Sequence, residues 1–269
     1  MRTLILMAPT HQLSTPIRTI TFDWGDTLVA NYGMPYGFVH QRALHQLTLD
    51  LQASGALLPP DWEASCAQQL HTLWVESAQP DLNPEQREFD YDALITSWLD
   101  AVNCQRGRPE IDAAVATYAA TITDTICPFL GVLETLRGLK DLGLRIGVLS
   151  HVPWPGWACR AWWQRKGWAP YVDFYSLSSD VGFIKPHPAH YQHALDQAGC
   201  AAAEILHVGD HPERDVVGGK AFGFQCALKV TQGIYEDSAL LRSEPHIAIA
   251  HVQELLELFR AEPQLLAQP

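Results

Sequence analysis

Carboxylate, hydroxyl and ammonium side chains follow short apolar runs at widely separated points of this sequence. Asp23 follows the first such run, Ser150 the second and Asp210 the third, while Lys185 and Asp215 lie in the loops near them. Carboxylates act as nucleophiles or bind hard cations, whereas hydroxyl and ammonium groups bind anions such as phosphate. These residue types together are suited to phosphoryl transfer, provided that the fold brings them into one place.

The apolar runs that precede these side chains are predicted to be buried parallel strands. They cover residues 17–22, 144–149, 205–208 and 224–230, and Val132–Leu142 has the apolar spacing of a helix leading into the second run. Short apolar runs separated by helical stretches are typical of βαβ units. Because ligands of open parallel sheets bind at the carboxyl ends of the strands, we expect the polar side chains to meet at that edge.

About ninety residues between the first two strands have a different character. Helical spacing dominates there, with breakers at Pro59-Pro60, Pro80 to Pro84 and Gly107 to Pro109. The simplest interpretation is a helical insertion in an α/β core. We therefore predict a discontinuous core of residues 17–31 and 124–260, a helical cap of residues 32–123, and terminal extensions of residues 1–16 and 261–269, with the tail after Arg260 frayed.

Charge and hydropathy restrict the partners and the compartment. The net charge of -12 argues against binding to nucleic acid or to an anionic membrane surface, both of which rely on clustered Lys and Arg. No apolar run is long enough to span a bilayer, and the opening residues are too short for a secretory signal. The six cysteines are scattered without a C-x-x-C pair, as is typical of reduced thiols. These features predict a cytoplasmic protein with a small-molecule substrate.

Four motifs in order resemble the haloacid dehalogenase-like hydrolase superfamily. They are F-D-W-G-D-T-L around Asp23, Ser150, G-F-I-K-P around Lys185, and G-D-H-P-E-R-D from Gly209 to Asp215. The resemblance implies a Rossmann-like α/β core with a mainly parallel sheet and an inserted all-helical cap. It also implies an Mg²⁺-dependent phosphatase that acts on a small phosphorylated metabolite through an aspartyl-phosphate.

The resemblance also implies a role for each matching residue. Asp23 would be the nucleophile, while Ser150 and Lys185 would hold the phosphoryl oxygens. Asp23, the Gly25 carbonyl and Asp210 would bind Mg²⁺, with Asp215 behind them. Further candidate substrate contacts are Thr27, His151 and Trp154. Taken singly, several have plainer explanations: Ser150 as a helix cap, Lys185 as a solvated lysine, Asp215 as a helix-terminal charge, and the aromatic residues as core.

The first motif departs from the pattern D-x-D-G-T of phosphatases in this superfamily. Their second Asp is the general acid and base, but this chain has Gly25 at that position and Asp26 one residue later. Because neighbouring side chains of an extended segment point in opposite directions, Asp26 is poorly placed to replace it. Two alternatives stay open: a catalytically impaired binding module, and a haloacid dehalogenase. A phosphonate-cleaving enzyme needs a cap lysine, which this chain lacks between Val29 and Leu139.

Overall fold

A six-stranded parallel sheet forms the core of the protein. The computed structural model describes residues 12–30, 36–102, 107–231, 235 and 237–268. The strands are β1 (Thr19–Phe22), β2 (Val29–Ala30), β3 (Cys127–Pro128), β4 (Arg145–Ser150), β5 (Phe174–Leu177), β6 (Ile205–Gly209), β7 (Gln225–Lys229) and β8 (Ile247–Ile249). The sheet has the order β5-β4-β1-β6-β7-β8. The predicted α/β class with a mainly parallel sheet is confirmed.

The order of the strands reverses beside β1. After β1 the chain builds outward through β4 and β5, and it then crosses to the other side for β6, β7 and β8. Phe22 is in register with Val148 of β4 and Val208 of β6, so the three strands end at the same edge. A crevice at such a reversal is the usual ligand site of open α/β sheets.

Four strands correspond to the predicted apolar runs, whereas β5 and β8 were missed. The sequence of β5, F-Y-S-L, mixes polar and apolar residues, and β8 has only three residues. Both are edge strands of the sheet, so each has a neighbouring strand on one side only. Short or mixed runs of this kind carry a weak periodic signal.

Helices cover the sheet and also form the insertion. The insertion contains α1 (Tyr36–Ala53), α2 (Trp62–Ala78), α3 (Tyr91–Ala101) and α4 (Arg108–Thr123), and the core contains α5 (Val132–Asp141), α6 (Gly156–Arg165), α7 (Ser178–Val181), α8 (Pro188–Ala198), α9 (Gly218–Phe222), α10 (Asp237–Ser243) and α11 (Gln253–Ala261). This order of elements is consistent with the predicted helical insertion after the first strand. Strands β2 and β3 pair antiparallel on the two sides of the insertion, so they join its entry to its exit. The predicted domain boundary at residues 31 and 32 lies outside the described residues.

The segment after α11 is ordered against the first strand, contrary to the predicted fraying. Ile17 N donates to Leu265 O at 2.7 Å, and Ala267 N donates to Ile17 O at 2.9 Å. These bonds satisfy backbone groups beside the start of β1, and Leu265 and Leu266 pack against the core, which explains why the tail holds a fixed place.

Membrane-spanning helices and disulfides can be assessed for the described residues. None of their helices is long and apolar enough to cross a membrane. Their five cysteines carry free thiols, and Cys104 lies outside the described part.

Candidate active site

The carboxyl edge of the sheet brings Asp23 and Lys185 into direct contact. Lys185 Nζ donates to Asp23 Oδ1 at 2.7 Å and to Asp215 Oδ1 at 2.5 Å. Its third hydrogen bond goes to the carbonyl oxygen of Leu149 at 2.9 Å. The Lys185 side chain is only 2% exposed, so its charge is stabilised by these partners and not by water.

Lys185 reaches the site from a loop and not from a strand end. The loop follows α7 at Gly182, whose φ of 81° lies in the left-handed region that glycine favours. It ends at Pro188, the first residue of α8. The sequence predicted that Lys185 belongs to the strand-end loops, but it did not predict that α7 comes between β5 and this loop.

A cluster of three carboxylates surrounds this lysine. One oxygen from each of Asp23, Asp210 and Asp215 lies within 4.8 Å of the others, and all three residues are buried. Thr27 Oγ1 donates to Asp210 Oδ1 at 3.4 Å, and Tyr235 OH donates to Asp210 Oδ2 at 3.1 Å. These two hydroxyl groups fix the orientation of the Asp210 carboxylate.

The carboxylates of the cluster differ in their tendency to hold a proton. Burial raises the pKa of Asp23, and the charge of Lys185 offsets part of that effect. Burial, with the charges of Asp215 and Asp23, raises the pKa of Asp210 to about 8. The pKa of Asp215 is lowered: burial opposes its charge, but Lys185 and His207 outweigh that effect.

Lysine 185 keeps its charge in this environment. Burial favours the neutral amine, but Asp215 and Asp23 together raise the pKa of Lys185. One ammonium therefore stands against three carboxylates. Burial is the largest cause of the raised pKa of Asp210, and the charges of Asp215 and Asp23 add to it. The three carboxylates supply the hard oxygen atoms that divalent cations such as Mg²⁺ prefer. The residues thus fit a bound divalent cation between Asp23 and Asp210.

Ser150 is fixed next to the loop that follows Asp23. It is the last residue of β4, and its Oγ accepts a hydrogen bond from Trp24 N at 3.3 Å. Because the hydroxyl acts as the acceptor there, its hydrogen is left to donate to another group. Ser150 therefore lies where a ligand of Asp23 could receive that hydrogen bond.

The first motif turns sharply after Asp23. Asp26 has a φ of 54°, an uncommon value for a residue with a side chain, and Leu28 N donates to Trp24 O at 2.9 Å. Lys229 Nζ at the end of β7 donates to the Asp26 carbonyl oxygen at 2.7 Å. The sequence analysis did not identify Lys229, although a lysine that ends an apolar strand is a detectable signal.

Trp154 lies in an aromatic cluster around Trp24, the residue that follows Asp23. Its ring centroid is 6.2 Å from that of Trp24, and Trp162 and Trp163 also contact Trp24. Trp154 is buried in this arrangement. Its predicted contact with a substrate stays a prediction.

His151 contacts the insertion. Its Nε2 lies 2.9 Å from Glu88 Oε2, its Nδ1 lies 3.4 Å from Arg214 Nη1, and its ring stacks on Trp74. Glu88 and Trp74 both belong to the helical insertion. The sequence analysis missed Glu88, because no local pattern distinguishes it from the other acidic residues of the insertion.

His207 contacts Asp215, and it was not among the residues predicted from the sequence. Its Nε2 lies 3.1 Å from Asp215 Oδ1, and its Nδ1 lies 3.0 Å from Thr21 Oγ1. A single histidine in the buried strand I-L-H-V-G is the signal that could have revealed it.

Sequence comparison assigns the chain to a family. A family model for haloacid dehalogenase-like hydrolases matches residues 17–223. This match covers most of the chain and includes every strand from β1 to β6. The protein therefore belongs to the haloacid dehalogenase-like hydrolases, as its four motifs predicted.

Individual relatives and structures refine this comparison. A glyceraldehyde 3-phosphate phosphatase of Methanocaldococcus jannaschii is 28% identical over 129 residues, or 47% of this chain and 54% of that protein. A phosphoglycolate phosphatase of Pectobacterium atrosepticum is 30% identical over 161 residues, or 59% of this chain and 64% of that protein. The chain thus spans about half to two thirds of the length of these relatives.

A solved structure extends the likeness to the fold. The crystal structure of a 2-haloacid dehalogenase from Pseudomonas syringae pv. Tomato has a TM-score of 0.62 and 23% identity, and the match covers 91% of this chain and 99% of that chain. At this identity the likeness concerns the fold and not the reaction.

Proposed function

We propose that this protein is an Mg²⁺-dependent phosphatase that acts on a small phosphorylated metabolite through an aspartyl-phosphate on Asp23. The observation that carries the proposal is the contact of Lys185 with both Asp23 and Asp215. A buried ammonium beside a carboxylate can also neutralise a phosphoryl oxygen that approaches it. Relatives named as phosphatases of glyceraldehyde 3-phosphate and phosphoglycolate support a small substrate.

The reaction has two displacements at phosphorus. In the first, an Asp23 oxygen bonds to phosphorus while the bond to the ester oxygen breaks, and the departing alcohol takes its proton from water. In the second, water attacks phosphorus and the bond to Asp23 breaks, which gives inorganic phosphate and restores the carboxylate. Asp23, Asp210 and the Gly25 carbonyl would hold Mg²⁺, which would supply the positive charge that lets a phosphate dianion approach a carboxylate.

The remaining residues bind and orient in this scheme. The Ser150 hydroxyl donates to one phosphoryl oxygen, and Lys185 binds another. Asp215 holds Lys185 through their hydrogen bond of 2.5 Å. Thr27 orients Asp210 through its hydroxyl group.

Gly25 determines which substrates react well. It has no side chain to transfer a proton, and general acid–base help is worth about 10²–10⁴-fold. Esters whose leaving group departs without protonation should therefore suffer least. The same residue favours the alternative of a binding module with impaired catalysis.

The test is release of p-nitrophenol from p-nitrophenyl phosphate by the full chain, with Mg²⁺, with EDTA and with Asp23→Asn. We expect turnover that requires the metal and that falls at least about 10⁴-fold in Asp23→Asn. Folded protein without turnover above that of the variant would contradict a phosphatase and favour the binding module. Halide release from a 2-haloacid without metal would instead identify a dehalogenase.

A further inference from the structure

Glu88 is a buried carboxylate that extends from the insertion into the core. It lies in the loop between α2 and α3, and its side chain is only 1% exposed. Its Oε2 lies 2.9 Å from His151 Nε2 and accepts a hydrogen bond from Ser178 Oγ at 2.5 Å. Charged carboxylates are rarely buried unless they are paired, and both partners of Glu88 belong to the core.

Both partners adjoin the loop that begins at Ser150. His151 is the next residue, and Val152 N donates to Ser178 Oγ at 2.8 Å. The Ser178 hydroxyl thus accepts from the Ser150 loop and donates to Glu88. A substitution of Glu88 would therefore alter contacts of His151, the residue next to Ser150, which is the proposed phosphate-binding residue.

The backbone around Glu88 also holds the loop that carries Lys185. Glu88 N donates to Gly182 O at 3.0 Å, and Ile184 N donates to Gln86 O at 2.8 Å. This short antiparallel bridge ends directly before Lys185. The insertion therefore limits the position of the lysine backbone.

The ring of His151 connects Glu88 to a third loop. A guanidinium can only donate, so the 3.4 Å contact with Arg214 makes His151 Nδ1 the acceptor. Nε2 then carries the hydrogen and lies 2.9 Å from Glu88 Oε2, a close contact without the geometry of a hydrogen bond. Arg214 is the residue before Asp215, so His151 links the Glu88 carboxylate to the loops of Ser150 and Asp215, while backbone bonds of Glu88 and Gln86 hold the loop of Lys185.

We propose that Glu88 is a positioning residue of the active site, which acts through His151 and Ser178 to hold the loops of Ser150 and Lys185. This inference rests on the proposed function. Without the carboxylate, the buried Ser178 hydroxyl loses its acceptor and the His151 ring loses its close contact, which favours displacement of both loops. A displacement of about 1 Å in a positioning group can cost about 10²-fold in rate.

The experiment compares Glu88→Ala and Glu88→Gln with Glu85→Ala in the full chain. Glu85 lies in the same loop, its side chain is 68% exposed, and its ion pair with Arg87 is exposed as well, so it is the matched control. Hydrogen exchange reports on the peptides that contain Glu88 and Ile184, and kcat and KM are measured on p-nitrophenyl phosphate with Mg²⁺.

For Glu88→Ala we expect exchange at these amides to be at least about tenfold faster and kcat to be about 10- to 100-fold lower, with KM within about threefold. Glu88→Gln should fall between Glu88→Ala and the wild type, because its amide oxygen can still accept from Ser178 while its NH₂ group faces the Phe89 N–H that Glu88 Oε1 accepts from. Glu85→Ala should leave both readouts unchanged. If Glu88→Ala does not fold, Ser178→Ala should give the same changes at smaller size.

Two results would overturn the inference. One is a Glu88→Ala protein, or failing that Ser178→Ala, with the exchange and kcat of the control. The other is faster exchange with an unchanged kcat, which would make the contact structural only. Absence of Asp23-dependent turnover in the wild type would instead refute the proposed function, while the exchange rates would still decide whether Glu88 holds the loop.

Discussion

Asp23 and Trp24 are neighbours in the chain, but their side chains lie in opposite environments. Asp23 faces a cluster of charges, in which Lys185 donates a hydrogen bond to it and also pairs with Asp215. Trp24 faces an aromatic cluster that includes Trp154, Trp162 and Trp163. Burial of the charged groups around Asp23 costs free energy, which their ion pairs offset. Burial of the aromatic rings around Trp24 stabilises the fold directly. We therefore expect the charged side to control activity and the aromatic side to control stability.

The largest expected effect comes from removing the central charge. Lys185→Met leaves Asp23 and Asp215 buried without their counter-charge, so it should reduce the free energy of unfolding by about 3–5 kcal/mol. It should also lower kcat/KM at least about 10³-fold, because the phosphoryl oxygens lose their anchor. Urea unfolding and steady-state kinetics measure the two effects.

Lys140→Met is the matched control for that variant. Lys140 pairs with Asp173 at 2.7 Å, but the pair is partly exposed, with side chains that are 28% and 27% accessible. Such a pair is worth at most about 1 kcal/mol. A Lys185→Met protein as stable as Lys140→Met would show that the buried cluster does not depend on its lysine.

Trp24→Leu tests the aromatic side. It removes a buried ring from the cluster, so the free energy of unfolding should fall by about 2–4 kcal/mol. The backbone N–H of Trp24, which donates to Ser150, stays in place, and kcat should change by less than about tenfold. Chemical denaturation and p-nitrophenol release test the two parts.

Trp157→Leu is the appropriate comparison, since Trp157 is 42% exposed. Its substitution should change stability by less than about 0.5 kcal/mol. If Trp24→Leu abolished turnover while leaving stability intact, the division of roles between the two sides would be wrong.

The smallest expected effect is a pH dependence in the insertion, where the ionisable ring of His40 is buried. Burial lowers the pKa of His40 to about 3, so the folded protein keeps the ring neutral while the unfolded chain binds a proton below about pH 6.5. Stability from this residue is present above that pH and is lost as pH falls toward 3. Between pH 7 and pH 5 the loss should be about 1–2 kcal/mol, and His40→Gln should remove it.

Urea unfolding at several pH values measures this dependence. His45 lies on the same helix with a side chain that is 61% exposed, so His45→Gln should keep the pH dependence of the wild type. An identical pH profile for His40→Gln and the wild type would mean that His40 is already protonated in the folded protein.

The sequence by itself determined the family, the fold class and which residues end the central strands. Motifs and strand periodicity are local, so the apolar runs before Asp23, Ser150 and Asp210 could be identified directly. Since parallel strands end at a common edge, their convergence followed from topology alone. The departure at Gly25 was equally visible, because it is a matter of residue identity.

Only the tertiary structure decided which side chains contact one another. The hydrogen bond from Lys185 to Asp215, the edge-to-face contact of Trp154 with Trp24, and the approach of Glu88 to His151 join residues far apart in the chain. Such contacts depend on loop geometry and on how the insertion packs, for which single residues carry no periodic signal. The physical reason is that a buried polar group must have a hydrogen-bond partner, but the fold of the whole chain determines which partner lies within reach.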